Sequence, residues 1–254
     1  MREDFLCGID FGKLRDNAAF TILRRTPLAA PQDVPDGEEV EDDPLFLRLV
    51  FCHLAPLRTS YHALAEYAAR LADTHRYRGR VQFAIDVTGP GEPALEIFEQ
   101  QPLLADILWP VSITGGQKAH REKNTNRWNV PKKDLKDAVK VAIQRRRLVA
   151  NPLDPYDMEA LRVQLFAFKM KVKSAGKVTL EAQTESDHDD LVLSLCLATW
   201  LSGILPLEEY DGSPGSEPHV VLTGPEDTVG RPAPSWREGN ILRPAGTPPL
   251  EVWP

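Results

Sequence analysis

Two stretches, Phe5-Leu-Cys-Gly8-Ile-Asp10 and Val81-Gln-Phe-Ala-Ile-Asp86, decide the fold. Each is a short apolar run of strand-forming residues that ends in an aspartate. Working outward from the first, a turn at 12–16 leads to a second strand at 18–23, and residues 45–54 supply a third. These three strands are expected to form an antiparallel meander. Leu64, Tyr67, Ala68 and Leu71 recur at helical spacing, which predicts a crossover helix over 61–74 before the fourth strand, 81–86. A short helix over 93–100 and a fifth strand over 106–112 follow. Pro131 stands at a first helical position, and Leu135, Ala138, Val139, Ala142 and Ile143 make a stripe opposite Lys133, Lys136, Lys140 and Arg147. Residues 155–166 read as a helix, 169–173 and 177–182 as a hairpin around Ser174-Ala-Gly176, and the apolar stretch after His188-Asp189-Asp190 as a buried last helix. The fold class is therefore α/β, a mixed five-stranded sheet flanked by helices on both faces.

Composition bounds the function. The 254 residues are 42% hydrophobic and 26% charged, which describes an ordinary globular protein able to bury a core without disulfides or a structural metal. Cys7, Cys52 and Cys196 are far apart with no C-x-x-C pair, which argues against a disulfide framework and a zinc-thiolate site. The start, Met1-Arg-Glu-Asp, has no apolar run, so no secretion signal is expected, and residues 191–205 fall short of a membrane span. The net charge of −7 hides an asymmetry. Residues 33–43 are acidic without a Lys or Arg, inside a Pro-rich loop expected over 27–44. Residues 118–147 are strongly basic, with Lys and Arg opposed only by Glu122, Asp134 and Asp137. A domain over 1–205 is expected to end in a Pro- and Gly-rich tail, 206–254, largely without structure.

The chemistry lies with the acids. Asp10 and Asp86 reach one edge of the sheet if their strands are parallel neighbours, and Asp189 and Asp190 open the last helix. Carboxylates that converge repel one another unless a divalent cation neutralises them, and oxygen-only donors favour Mg²⁺ or Mn²⁺ over Zn²⁺. Each acid also has a plainer role: a strand-end Asp is often a turn residue, and Ser186-x-x-Asp189 fits a capping box.

Gly8-Ile-Asp10-Phe-Gly12, continuing through Asp16-Asn-Ala-Ala to a β run, resembles the first hairpin of RNase H-like nucleases. More narrowly, Val130-Pro-Lys-Lys-Asp-Leu135, the helix ending Arg147-Leu-Val, the hairpin around Gly176 and His188-Asp189-Asp190-Leu-Val resemble the nuclease domain of viral large terminase subunits. The resemblance covers residues 5–203. It implies an endonuclease that cuts double-stranded DNA concatemers during genome packaging, in the cytoplasm of an infected host cell, with two Mg²⁺ or Mn²⁺ ions. On that carry-over Asp10 and Asp86 hold the metals, one or other of Asp189 and Asp190 supplies the third ligand, and Asp16 is an auxiliary ligand or a turn residue. His188 is a proton shuttle, a phosphate contact or a filler at the helix start. Arg127, Trp128, Lys132 and Lys133, with Lys169 and Lys171 of the basic hairpin, are the expected DNA contacts, their other reading being a solvated face. The implied partners are a packaging ATPase, a small terminase subunit and a portal. No G-x-x-x-x-G-K-[ST] occurs, and Thr114-Gly-Gly-Gln-Lys118 lacks both the spacing and the hydroxyl, so the motor belongs to another chain or to a segment not in this sequence.

Three rivals stand beside this reading. A Holliday-junction resolvase would share the carboxylates and prefer branched DNA. A sugar-kinase or actin-like ATPase would need a second domain. A binding module on the same scaffold would dock DNA or a portal without cutting.

Overall fold

The computed structural model describes residues 3–12, 17–27, 45–89, 91–150, 157–174 and 189–206, with side chains left aside at 167–174. Strands β1 (Asp4–Asp10), β2 (Ala19–Pro27) and β3 (Leu45–Leu54) form the expected antiparallel meander. Helix α1 (Tyr61–Asp73) crosses over to β4 (Val81–Asp86), which pairs parallel with β1. Helix α2 (Gly91–Glu99) leads to β5 (Leu108–Thr114), parallel to β4. A two-residue strand β6 (His120–Arg121) and β7 (Trp128–Pro131) extend that side; helix α3 (Lys132–Gln144) follows, and β8 (Leu148–Ala150) closes the other edge beside β3. Helices α4 (Met158–Ser174) and α5 (Asp190–Ile204) complete the described chain.

The strand order is β6-β7-β5-β4-β1-β2-β3-β8. Its central part, β3-β2-β1-β4-β5 with the first three antiparallel and the rest parallel, is the RNase H-like arrangement. Among the described residues eight strands replace the expected five, because β6, β7 and β8 are only two to four residues long and carry too little alternation to stand out in a sequence. One element is corrected outright: residues 169–173 continue helix α4 instead of forming a strand. Pro131 is the N-cap of α3, one position before the helix, where its missing N–H and fixed φ of −58° cost nothing. The acidic loop 28–44, residues 177–182 and the tail beyond 206 lie outside the described residues. Among the described residues no helix is long and apolar enough to cross a membrane.

Strand alternation sorts the side chains into two cores. Phe5, Cys7, Ile9, Phe83 and Ile85 pack under α1 and α2 with Leu64, Tyr67 and Phe98. Leu6, Ala84, Val111 and Val130 face the other way, toward Leu135, Leu191, Leu195 and Leu197 of α3 and α5. By the same alternation Gly8, Asp10 and Asp86 share the α5 side with Leu6 and Ala84.

Helix α5 lies unusually close to β1. A Cβ built on Gly8 would stand 1.9 Å from the Ser194 carbonyl oxygen, so only glycine admits the helix at this depth. Ser194 Oγ donates to the Gly8 carbonyl at 2.8 Å, which leaves Thr21 Oγ1 as the donor in its 2.9 Å contact with Ser194 Oγ. The far end of α5 is held by Arg25, a fully buried guanidinium. It grips the Asp4 carboxylate with two donors and gives its Nη1 to the carbonyls of Ser202 (2.7 Å) and Leu205 (2.6 Å). Those are orphan carbonyls of a helix C-terminus, where a cation also meets the favourable end of the dipole.

Candidate active site

Register decides which acids meet. Ile9 of β1 aligns with Ile85 of β4, so Asp10 and Asp86 end adjacent parallel strands side by side. Asp190 is the first residue of α5 and Asp189 its N-cap, and the Gly8–Ser194 contact one turn into α5 brings that helix start over the same strand ends. Asp10, Asp86 and Asp190 are 7%, 9% and 8% exposed, while the Asp189 side chain is 40% exposed.

Electrostatics registers the convergence. Burial pushes the Asp10 carboxyl well above the usual carboxylate range, and the charges of Asp86, Asp190 and Asp189 push it the same way. Burial also raises Asp86, against hydrogen bonds from Thr88, whose backbone N–H donates to Asp86 Oδ1 at 2.8 Å. The opposing cation for both is Lys132, whose Nζ lies 3.9 Å from Asp189 Oδ2. The acids are coupled without being gathered: among the described residues no three acidic, His or Cys side chains form a ready metal cage. An all-oxygen donor set, buried at the expense of its own charge, fits a hard divalent cation such as Mg²⁺ or Mn²⁺. A thiolate chemistry is disfavoured, since burial pushes the Cys196 thiol up to about 12.

The start of α5 is capped in a way the sequence does not announce. Asp189 makes no side-chain cap bond, and Ser186 lies outside the described residues. Instead Gln164 of α4 reaches across, its Oε1 accepting from the N–H groups of Leu191 (3.0 Å) and Val192 (3.3 Å). The arrangement leaves the Asp189 carboxylate available to face Lys132. Neither Gln164 nor Ser194 carries a sequence signal, because each acts on a partner 27 or more positions away.

The expected DNA contacts divide. Lys132 and Lys133 open α3, Lys132 beside the acids and Lys133 mostly in solvent, 3.8 Å from Asp137. The Arg127 guanidinium is engaged by Glu92 of α2, which raises its pKa further. Trp128 packs edge-on against Trp200 with ring centroids 5.4 Å apart, so its ring belongs to the α5 core more than to an open groove. Lys169 and Lys171 lie on the last turns of α4, with their side chains outside the description, as are Asp16 and His188 entirely.

Among solved structures the chain is similar to the human cytomegalovirus terminase nuclease domain soaked with Mn, at 12% identity over 79% of this chain and 84% of that one, with a TM-score of 0.44. It is also similar to the same domain soaked with Mn and bound to an inhibitor, at 14% identity over 78% and 83%, with a TM-score of 0.42. No family model and no curated protein matches.

Proposed function

We propose that the chain is a metal-dependent endonuclease that hydrolyses phosphodiester bonds of double-stranded DNA, of the kind that cuts viral genome concatemers during packaging. The observation that carries this reading is that Asp10 and Asp86, buried at the ends of adjacent parallel strands, lie in the electrostatic reach of the acids at the start of a buried helix, whose charges act on Asp10. A fold bears the cost of three coupled carboxylates where their charge has a use.

Asp10 is the hub, the acid whose charge feels Asp86, Asp190 and Asp189 together. Asp86 is fixed in orientation by Thr88, whose Oγ1 in turn accepts from the N–H of Ile113 on β5 at 2.8 Å. The helix start that carries Asp190 is held by the Gly8–Ser194–Thr21 contacts, and Asp189, more exposed, lies beside Lys132. Two Mg²⁺ or Mn²⁺ ions held by these residues would supply the positive charge that favours in-line attack by water and departure of the 3′ oxygen. Lys132 and Lys133 bind phosphates of the strand, a sequence-independent attraction that weakens with salt. The packaging motor, small subunit and portal would be separate partners.

The test is cleavage of supercoiled plasmid at low salt by the purified chain with Mg²⁺, Mn²⁺ or EDTA, alongside Asp10→Asn. Cutting that needs metal and vanishes in the variant is expected. Absence of cutting with either metal by a folded protein that still shifts DNA on a gel would turn the reading toward a binding module, and a strong preference for four-way junctions would turn it toward a resolvase.

A further inference from the structure

The first N–H groups of a helix lack partners within it, and the side chain of the N-cap residue usually accepts from them. Helix α1 follows that rule: Ser60, extended at φ −68° and ψ 151°, accepts from the Ala63 N–H at 3.2 Å. Helix α5 departs from it. Its N-cap, Asp189, is of a residue type well suited to capping, yet it stands at φ −115° and ψ 18° and makes no side-chain cap bond. The two donors that an N-cap carboxylate would take are those of Leu191 and Val192, and both go to Gln164 Oε1, at 3.0 and 3.3 Å. Relieved of them, Asp189 Oδ2 lies 3.9 Å from Lys132 Nζ. Gln164 is seated for this task by the sheet. Just before α4, Asp157 Oδ2 accepts from the Leu54 N–H at 2.7 Å, and Leu161, one turn before Gln164, is buried. Leu54 pairs with Ala19 and Ala19 with Asp10, so α4 is anchored along the sheet end that carries Asp10. An amide is also the acceptor that brings no charge; a glutamate would suit the helix dipole but add a carboxylate to acids that already repel one another.

We propose that Gln164 is a positioning residue of the acidic centre: by capping α5 in place of Asp189, it keeps the Asp189 carboxylate beside Lys132 and available to a divalent cation. The cation rests on the nuclease reading; the exchange of caps rests on the geometry of α4 and α5 alone. Without Gln164, two bare N–H groups at the positive end of a helix compete with Lys132 for the Asp189 carboxylate. A cap bond shifts such an equilibrium by about fivefold, whereas a half-exposed ion pair at 3.9 Å shifts it little, so the helix end wins. Asp189 then turns toward the extended backbone that Ser60 adopts and divides its time unequally between the two places. Affinity for a cation that uses this carboxylate falls in proportion to the fraction left beside Lys132, about three- to fivefold.

The experiment uses the full chain, without DNA, as Gln164→Leu, Gln164→Glu, Asp189→Asn and the Gln164→Leu, Asp189→Asn double variant. Metal-free crystal structures of the parent and of Gln164→Leu read the cap directly, and in the variant the Asp189 carboxylate is expected to leave Lys132 for the N–H groups of Leu191 and Val192. Mn²⁺ binding followed by electron paramagnetic resonance should weaken about three- to fivefold in Gln164→Leu. It should hold at least the parental strength in Gln164→Glu, which keeps both acceptor bonds. In the Asp189→Asn background the same leucine should change Mn²⁺ affinity by less than about twofold, because the carboxylate through which Gln164 acts is gone. An Asp189 still beside Lys132 in the Gln164→Leu crystal overturns the proposal, as does an equal loss of Mn²⁺ affinity in Gln164→Glu or in the Asp189→Asn background. A parent chain that binds no Mn²⁺ removes the cation, and with it the nuclease reading, while the crystal comparison still decides the exchange of caps.

Discussion

Replacing Gly8 by alanine tests the close seat of α5 on the central strand. The new Cβ would meet the Ser194 carbonyl oxygen at 1.9 Å, its carbon at 2.8 Å and the Ala198 nitrogen at 3.0 Å, all backbone atoms that no side-chain rotation can move aside. Reaching an ordinary contact of 3.4 Å requires the helix to retreat by about 1.5 Å, the difference between 3.4 and 1.9. Overpacking of this kind costs about 1–3 kcal/mol or more. The retreat also breaks the Ser194–Gly8 and Thr21–Ser194 hydrogen bonds, at roughly 1 kcal/mol each. The stiffer unfolded chain returns about 0.4–1 kcal/mol, so the net loss is roughly 2–5 kcal/mol. Urea denaturation followed by circular dichroism reads this as a lower midpoint at unchanged slope. Gly115→Ala, where a Cβ meets nothing within 4 Å, is the control and should stay within about 0.5 kcal/mol. Because Asp190 rides on the displaced helix, any metal-dependent cleavage should fall by about a hundredfold in the surviving folded fraction. A Gly8→Ala protein as stable as Gly115→Ala would refute the packing argument.

Arg25→Met should lower stability by about 3 kcal/mol in the same assay, since it strands the Ser202 and Leu205 carbonyls and the half-buried Asp4; a loss under about 1 kcal/mol would deny the guanidinium its stapling role. Asp10 and Asp86 bind protons more tightly folded than unfolded, so in EDTA stability should fall as pH rises from the ordinary carboxyl range through their raised values. Asp10→Asn should flatten that fall and raise the melting temperature at neutral pH while removing stabilisation by added Mn²⁺, and an unchanged pH profile would contradict the coupling. Gln164→Leu should cost about 1 kcal/mol through the uncapped N–H groups of Leu191 and Val192, measurable as faster amide exchange at those two positions.

Much of the frame was legible because it rests on local pattern. The first five strands and α1 follow from short apolar runs and from Leu64, Tyr67, Ala68 and Leu71 on one face, and the terminal aspartates of β1 and β4 could be named before their adjacency was known. What was not legible depends on distance. Residues 169–173 carry lysines in alternation with apolar residues, a two-residue period that reads as a strand, yet they continue a helix already begun at Met158. The pairing of Arg127 with Glu92 could not be read either, because Glu92 sits 35 positions earlier, on helix α2. Thr21, Ser194 and Gly8 look unremarkable singly, and only their meeting explains why the last helix tolerates a serine in its most buried turn.

The docking of α5 on β1 also sets when the acidic centre can exist. Gly8 and Ser194 are 186 positions apart, so their contact forms only after most of the described residues have been made. Until α5 has been synthesised and seated, the sheet carries Asp10 and Asp86 without Asp190, and its α5 face lacks Leu191, Leu195 and Leu197. Closure of so long a loop is entropically slow. A chain on which α5 is not yet seated therefore holds an incomplete set of these carboxylates.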